Sequence, residues 1–380
     1  MAIAWAIAGC DIAADGRDGA APGLGDEDLS EADPEAEWTK DEVAAAAAAG
    51  QAAWSEDICE ISVNAYGQTW YEDGECDWFC ALPDPACDVP ALGPTPSGAH
   101  TRYPIVLVHG FMSGATQLEG VRAALSADGH AVLAAELPAI APVSERAEAL
   151  AVWVDHARYT FGTERVNLVA HSMGGLDARY LVSSLGYDDR VASVTTVATP
   201  HRGSRIADLA LGLSQSESST MQAVRDLILA RIEANFDDYD KEALDAALWD
   251  LTEGAAPWFA EDNPDRAGVH YQSWAGVSSK IAKWPADTEA ACGDVLAHEA
   301  SWFGFGADLM SPKLAPLSMF LHPHSDGVVA LPSAVWGDFR GCIPADHLEQ
   351  TATDGPLWIT GYDATRFFRN LAFDLAKRGY

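Results

Sequence analysis

One serine has neighbours suited to nucleophilic chemistry. Ala170-His171-Ser172-Met173-Gly174-Gly175 follows the apolar run Val166–Ala170 and precedes a stretch from Gly174 to Leu185 that reads as a helix. A strand turning at once into a helix strains the residue at the bend and aims its side chain off the top of a sheet. Small residues at 170 and 174 suit so sharp a turn, although Ala170 stands where this pattern usually has glycine. A serine hydroxyl is a weak nucleophile at neutral pH. It needs a general base within hydrogen-bond reach, and an acid that fixes the tautomer of the base. In elbows of this kind the acid and then the base follow the nucleophile along the chain.

Six of the eleven histidines follow Ser172: His201, His270, His298, His322, His324 and His347. His347, in the late loop Ala345–Glu349, is the expected base. Asp326, in Ser325-Asp326-Gly327-Val328-Val329, is the expected acid, and His324 is too close to it in sequence to be its obvious partner. The tetrahedral intermediate of acyl transfer also needs two fixed N–H donors, each worth roughly 3–4 kcal/mol when removed. Met173, just after the nucleophile, should supply one. Phe111, in His109-Gly110-Phe111, should supply the other, with Gly110 allowing the backbone to come close.

These residues need a scaffold. Tyr103–Val108 is a continuous apolar run ending at His109, the pattern of a strand buried on both faces. Ala131–Leu137 is a second apolar segment. Ser144–Tyr159 carries Ala147, Leu150, Ala151 and Val154 at helical spacing, and Val191–Ala198 is rich in β-branched residues. Alternating strand and helix imply a mostly parallel sheet flanked by helices. Residues 205–265 break this rhythm with long helical stretches holding Leu209, Leu211, Leu213, Leu227, Leu229, Ile232, Leu244, Leu248 and Leu251. They read as a helical lid with an apolar underside.

The chain has 380 residues, of which 48% are apolar, enough for one large α/β domain and a smaller appendage. Its net charge is −34, and residues 1–100 hold 21 acidic against 2 basic side chains. This balance argues against nucleic acid, whose phosphates require Lys and Arg, and reads as a solvated surface. Ile7-Ala8-Gly9-Cys10 has the form of a lipoprotein cleavage site behind a short apolar run, which points to export and a lipid anchor at Cys10. Residues 11–54 read as an acidic linker and residues 55–90 as a small cysteine-rich module. The main domain spans residues 100–380. Without Cys10, six cysteines remain, an even number that suits disulfides in an oxidising, extracytoplasmic setting. Two bridges are expected among Cys59, Cys76, Cys80 and Cys87, and one between Cys292 and Cys342.

The segments Tyr103–Gly110, Val166–Ser172 and Ala198-Thr199-Pro200-His201-Arg202-Gly203-Ser204 resemble the true lipases of the Pseudomonas–Burkholderia type. So do Ala246–Thr252, Tyr271–Gly276, Ser325–Val329 and His347-Leu348-Glu349, in the same order. The resemblance runs from about residue 102 to about residue 375. It implies an α/β-hydrolase fold and action on triacylglycerols and other carboxylic esters at oil–water interfaces, under a mobile lid. It also implies a structural calcium held by two aspartates, and a folding chaperone is a possible partner. Here Glu349 occupies one of those aspartate places, and Asp308 is the nearest candidate for the other. The resemblance implies no cofactor in the chemistry itself. Rival readings are a short-chain esterase, a polyester depolymerase, an acyltransferase, or a surface-attached binding protein acting through residues 55–90.

Overall fold

The computed structural model describes residues 100–213, 239–279, 287–292, 310–311, 314–315, 317–351, 362 and 364–380, with isolated positions between 222 and 230. The signal-like start, the acidic linker, the cysteine-rich module and Asp308 lie outside these residues.

Six strands form one parallel sheet: β1 (Ile105–Val108), β2 (Val132–Ala135), β3 (Val166–His171), β4 (Val191–Val197), β5 (His270–Gly276) and β6 (Asp338–Ile343), in the order β2-β1-β3-β4-β5-β6. The helices used below are α1 (Glu119–Ala127), α2 (Val143–Phe161), α3 (Gly174–Ser183), α4 (Arg205–Ala210), α5 (Lys241–Asp250), α6 (Ala256–Asp262) and α7 (Ala364–Lys377). Side chains alternate across a strand, so the apolar runs of β1 and β3 serve two cores. On one face Ile105, Leu107, Val169 and Trp274 pack with Val121 and Leu125 of α1 and with Phe367, Leu371 and Leu375 of α7. On the other, Val106, Val108, Leu168 and Val194 pack with Leu150 and Val154 of α2 and with Leu181 and Val182 of α3.

The expected strands at 103–108, 131–137, 166–170 and 191–198 and the helices at 144–159 and 174–185 all form, with ends shifted by a few residues. Cys292 and Cys342 form a disulfide that ties β6 to the segment after a short helix, Thr288–Ala291. In the 205–265 region, α4, α5 and α6 are helical. Ala210, Leu244 and Leu248 cover Phe111, Met112 and Ile140 beyond the ends of β1 and β2. Leu227 and Ile232 lie outside the described residues. Among the described residues no helix is long and apolar enough to cross a membrane.

Candidate active site

Ser172 sits between β3 and α3 with a backbone φ of 55°. A serine adopts this left-handed conformation only where the surroundings enforce it. Here the Ser172 N–H donates to Val197 O at 2.9 Å, and Thr199 Oγ1 donates to Ser172 O at 2.7 Å. Two glycines permit the bend to dock against β1. A Cβ on Gly110 would stand 2.7 Å from Ser172 Cβ, and one on Gly174 would stand 2.7 Å from His109 O.

Ser172 Oγ lies 2.9 Å from His347 Nε2, and His347 Nδ1 lies 2.7 Å from Asp326 Oδ2. The carboxylate can only accept, so Nδ1 carries the imidazole proton and Nε2 presents its lone pair to the Ser172 hydroxyl. Asp326 Oδ1 accepts from the backbone N–H groups of Val328 at 2.9 Å and Val329 at 2.7 Å. Burial alone would raise the Asp326 carboxyl. The charge and hydrogen bond of His347, with those two N–H groups, outweigh burial and hold it below the usual carboxylate range. The structure therefore joins the serine, histidine and aspartate singled out from sequence into one hydrogen-bonded chain.

The expected oxyanion donors are also close. Phe111 follows Gly110, where an added Cβ would stand 3.2 Å from Ser172 Oγ, and Met173 is the next residue after the nucleophile. Neither backbone N–H has a protein acceptor among the described residues. Such unpaired donors beside a nucleophile suit a developing negative charge.

Other histidines are engaged elsewhere. His109 Nδ1–H donates to Gly110 O at 2.9 Å while its Nε2 accepts from Leu137 N–H at 3.0 Å. His201 reaches Thr196 Oγ1, and His324 reaches Thr288 and Asp287. His270 stacks on Tyr380, and His298 lies outside the described residues. His171 is buried with its ring centroid 4.7 Å from that of His347, and burial, helped by the His347 charge, pushes its pKa down to about 3. It is a neutral neighbour of the base.

Three supporting residues escape a reading by motif. Arg146 of α2 is fully buried, donating from Nε to Asp177 Oδ2 at 2.9 Å, from Nη2 to His109 O at 2.8 Å and from Nη1 to Pro138 O. It thus ties the loops after β1 and β2 to the nucleophile helix. Gln350 donates to Asp326, and Thr199 holds the carbonyl of the nucleophile. The available signal was Arg146 and Asp177 falling on otherwise apolar helix faces, where a charge needs a partner.

Of the two places named for calcium, Asp308 lies outside the described residues, and the Glu349 carboxylate accepts from Asp346 N–H at 3.3 Å.

A family model described as the alpha/beta hydrolase fold matches residues 103–238. The triacylglycerol lipase of Vibrio cholerae serotype O1 is 34% identical over 203 residues, covering 47% of this chain and 64% of that protein. The triacylglycerol lipase of Burkholderia plantarii is 34% identical over 176 residues, covering 43% of this chain and 48% of that protein. The chain thus spans between about half and just under two thirds of these two relatives. The triacylglycerol lipase of Pseudomonas fragi is 30% identical over 209 residues, covering 48% of this chain and 70% of that protein. With its parallel sheet and its serine between β3 and α3, the chain belongs to the bacterial triacylglycerol lipase family of the α/β-hydrolase superfamily.

Proposed function

We propose that this protein hydrolyses carboxylic esters, with triacylglycerols as its main substrate class, through an acyl-enzyme on Ser172. The observation that carries the reading is the chain Ser172 Oγ–His347 Nε2–Asp326, with contacts of 2.9 and 2.7 Å, at the end of a strained elbow. Ser172 Oγ attacks the ester carbonyl carbon as its proton passes to His347 Nε2. The carbonyl oxygen becomes an oxyanion, held by the N–H groups of Phe111 and Met173. The intermediate collapses, the C–O bond breaks, and His347 returns the proton to the leaving alcohol. Water then attacks the acyl-enzyme, with His347 taking its proton. Collapse releases the fatty acid and restores the Ser172 hydroxyl. Asp326 stays ionised and steadies the imidazolium in both halves.

Two related readings accompany this. The helices of residues 205–265 act as a lid, supported by the apolar cover that α4 and α5 lay over Phe111 and Met112. The chain works outside the cytoplasm, supported by the Cys292–Cys342 disulfide, with Cys10 as a lipid anchor. The test is hydrolysis of p-nitrophenyl esters from acetate to palmitate, beside a triglyceride emulsion, with Ser172→Ala as the blank. Long-chain turnover that rises once an interface forms is the expected result. Turnover by Ser172→Ala above a few per cent of the parent would refute the nucleophile.

A further inference from the structure

Asp326 has a second side-chain donor. Gln350 lies in the short 3-10 turn Glu349–Thr351, just past the base, and is fully buried. Its Nε2–H donates to Asp326 Oδ2 at 3.0 Å, the same oxygen that receives His347 Nδ1–H at 2.7 Å. An ionised carboxylate can only accept, so the amide nitrogen, not the amide oxygen, must face it. Nε2 also approaches Ala345 O at 3.5 Å, while the amide oxygen is left to face the buried His171 ring.

The end of β5 makes room for this contact. A Cβ on Gly276 would stand 1.9 Å from Gln350 Nε2 and 2.8 Å from Asp326 Cβ. With two backbone N–H groups on Oδ1 and two side-chain donors on Oδ2, the carboxylate is gripped at both oxygens and cannot turn away from the base.

We propose that Gln350 is a positioning residue of the acid–base pair, its amide fixing the Asp326 oxygen that orients His347. The proposal rests on the Ser172–His347–Asp326 reading.

Besides Gln350, four titratable groups lie near His347 in space or in the chain. Asp326 faces Nδ1. His171, from β3, lies against the ring and is neutral down to about pH 3 through burial. Asp346, beside the base, spends its carboxylate on the N–H groups of Ser311, Leu348 and Glu349. Glu349 turns its own toward Asp346 N–H. Replacing Gln350 by methionine keeps the shape but removes the positive end of a dipole from Asp326 Oδ2. The carboxylate charge then acts more fully on His347 and favours its protonated form. The acid limb of kcat/KM moves to higher pH, the opposite of what loss of Asp326 itself would do.

The experiment measures kcat, KM and the pH profile on p-nitrophenyl butyrate for the full chain and for Gln350→Met, Gln350→Glu and Gln350→Leu, with melting temperatures for each. Gln350→Met should lower kcat about 10-fold or more, the loss expected for one hydrogen bond to a charged group. KM should hold, and the acid limb should shift upward. Gln350→Glu can donate only while protonated, so it should keep more of the rate at the acid end than Gln350→Met. Gln350→Leu, which also lacks the donor, should reproduce the Gln350→Met profile, and it carries the test if Gln350→Met does not fold. An unmoved acid limb in both Gln350→Met and Gln350→Leu, whatever happens to melting, would reduce Gln350 to packing and overturn the proposal. That outcome with an inactive Ser172→Ala leaves the triad standing. An active Ser172→Ala removes the triad and this proposal with it.

Discussion

Removal of Arg146 tests how the oxyanion loop is held. Its guanidinium is fully buried and bonds three elements: His109 O beside the expected donor Phe111, Pro138 O after β2, and Asp177 in the nucleophile helix. Burial raises the Asp177 carboxyl to about 6 even though the Arg146 charge and hydrogen bond pull it down. In Arg146→Met both lowering influences vanish, and the carboxyl rises further. Breaking one side of such a pair costs about 3–5 kcal/mol, because it strands the other charge. The cost carries a sign in pH. A carboxyl raised in the folded state contributes stability below its unfolded value and loses it as pH climbs through the folded value. Arg146→Met should therefore be much less stable near pH 8 than near pH 5, in urea unfolding followed by circular dichroism. The double variant Arg146→Met/Asp177→Leu removes both charges, so it should recover most of the stability. It cannot recover the bond to His109 O, so esterase activity should stay low in the stable double variant. Equal destabilisation at both pH values, or a double variant as active as the parent, would refute the assignment.

Other outcomes follow from the same geometry. Asp326→Asn should keep the fold but cut kcat about 10⁴-fold by favouring the wrong imidazole tautomer, measured on a soluble ester. Gly110→Ala should lower kcat by about 10²–10³ with KM little changed, because the new Cβ forces the Phe111 donor away from Ser172. His171 is neutral in the folded protein down to about pH 3 but protonates near its ordinary value, 6.5, when unfolded. Its depressed value makes the parent lose stability as pH falls from about 6.5 toward 3, and His171→Phe should flatten that slope in urea titrations. Losing the Cys292–Cys342 bridge, which closes a 50-residue loop, should cost about 4 kcal/mol by the chain-entropy argument, read as a lower melting temperature in Cys292→Ala/Cys342→Ala.

Much of the centre of the molecule was legible as residues. β1, β3 and β4 are apolar runs because two core faces bury them, and the elbow follows from Ser172 flanked by Ala170 and Gly174. β5 and β6 lack the continuous apolar runs of β1, β3 and β4: His-Tyr-Gln-Ser-Trp-Ala-Gly and Asp-Phe-Arg-Gly-Cys-Ile mix polar and apolar residues. In β5 the buried polar residues are satisfied in ways composition does not reveal: Gln272 donates to Thr195 Oγ1 and Ser273 to Trp336 O. Helix α7 carries its own signal, with Phe367, Phe368, Leu371 and Leu375 recurring at helical spacing. Ser172, Asp326 and His347 could be found because chain order and loop position restrict the choice. Arg146 shows in the sequence only as a charge on an apolar helix face, with nothing to name His109 O as its partner, and Gln350 belongs to no motif that would single it out.

The two halves of the site are held by different physics. Ser172 hangs from β3, near the middle of the sheet, between two apolar cores. Met112, Ser172 and Ala198 all carry positive φ, just past the ends of β1, β3 and β4, which are neighbours in the sheet. Strain of roughly 1–3 kcal/mol at each such residue persists only because close-packed strands leave no softer conformation. Asp326 and His347 stand on loops toward one edge of the sheet. Asp326 lies between β5 and β6 in the chain and His347 just after β6, a strand at the sheet edge. There hydrogen bonds and a covalent link add to the packing of Val329, Cys342, Ile343 and Ala345. Asp326 receives four donors, His347 N–H returns to Asp326 O at 2.9 Å, and Cys342 pins β6. Because the nucleophile half depends on packing, core substitutions should reach activity through the fold. Because the acid–base half depends on directed donors, removal of a single amide there should change the pH profile of a protein that remains folded.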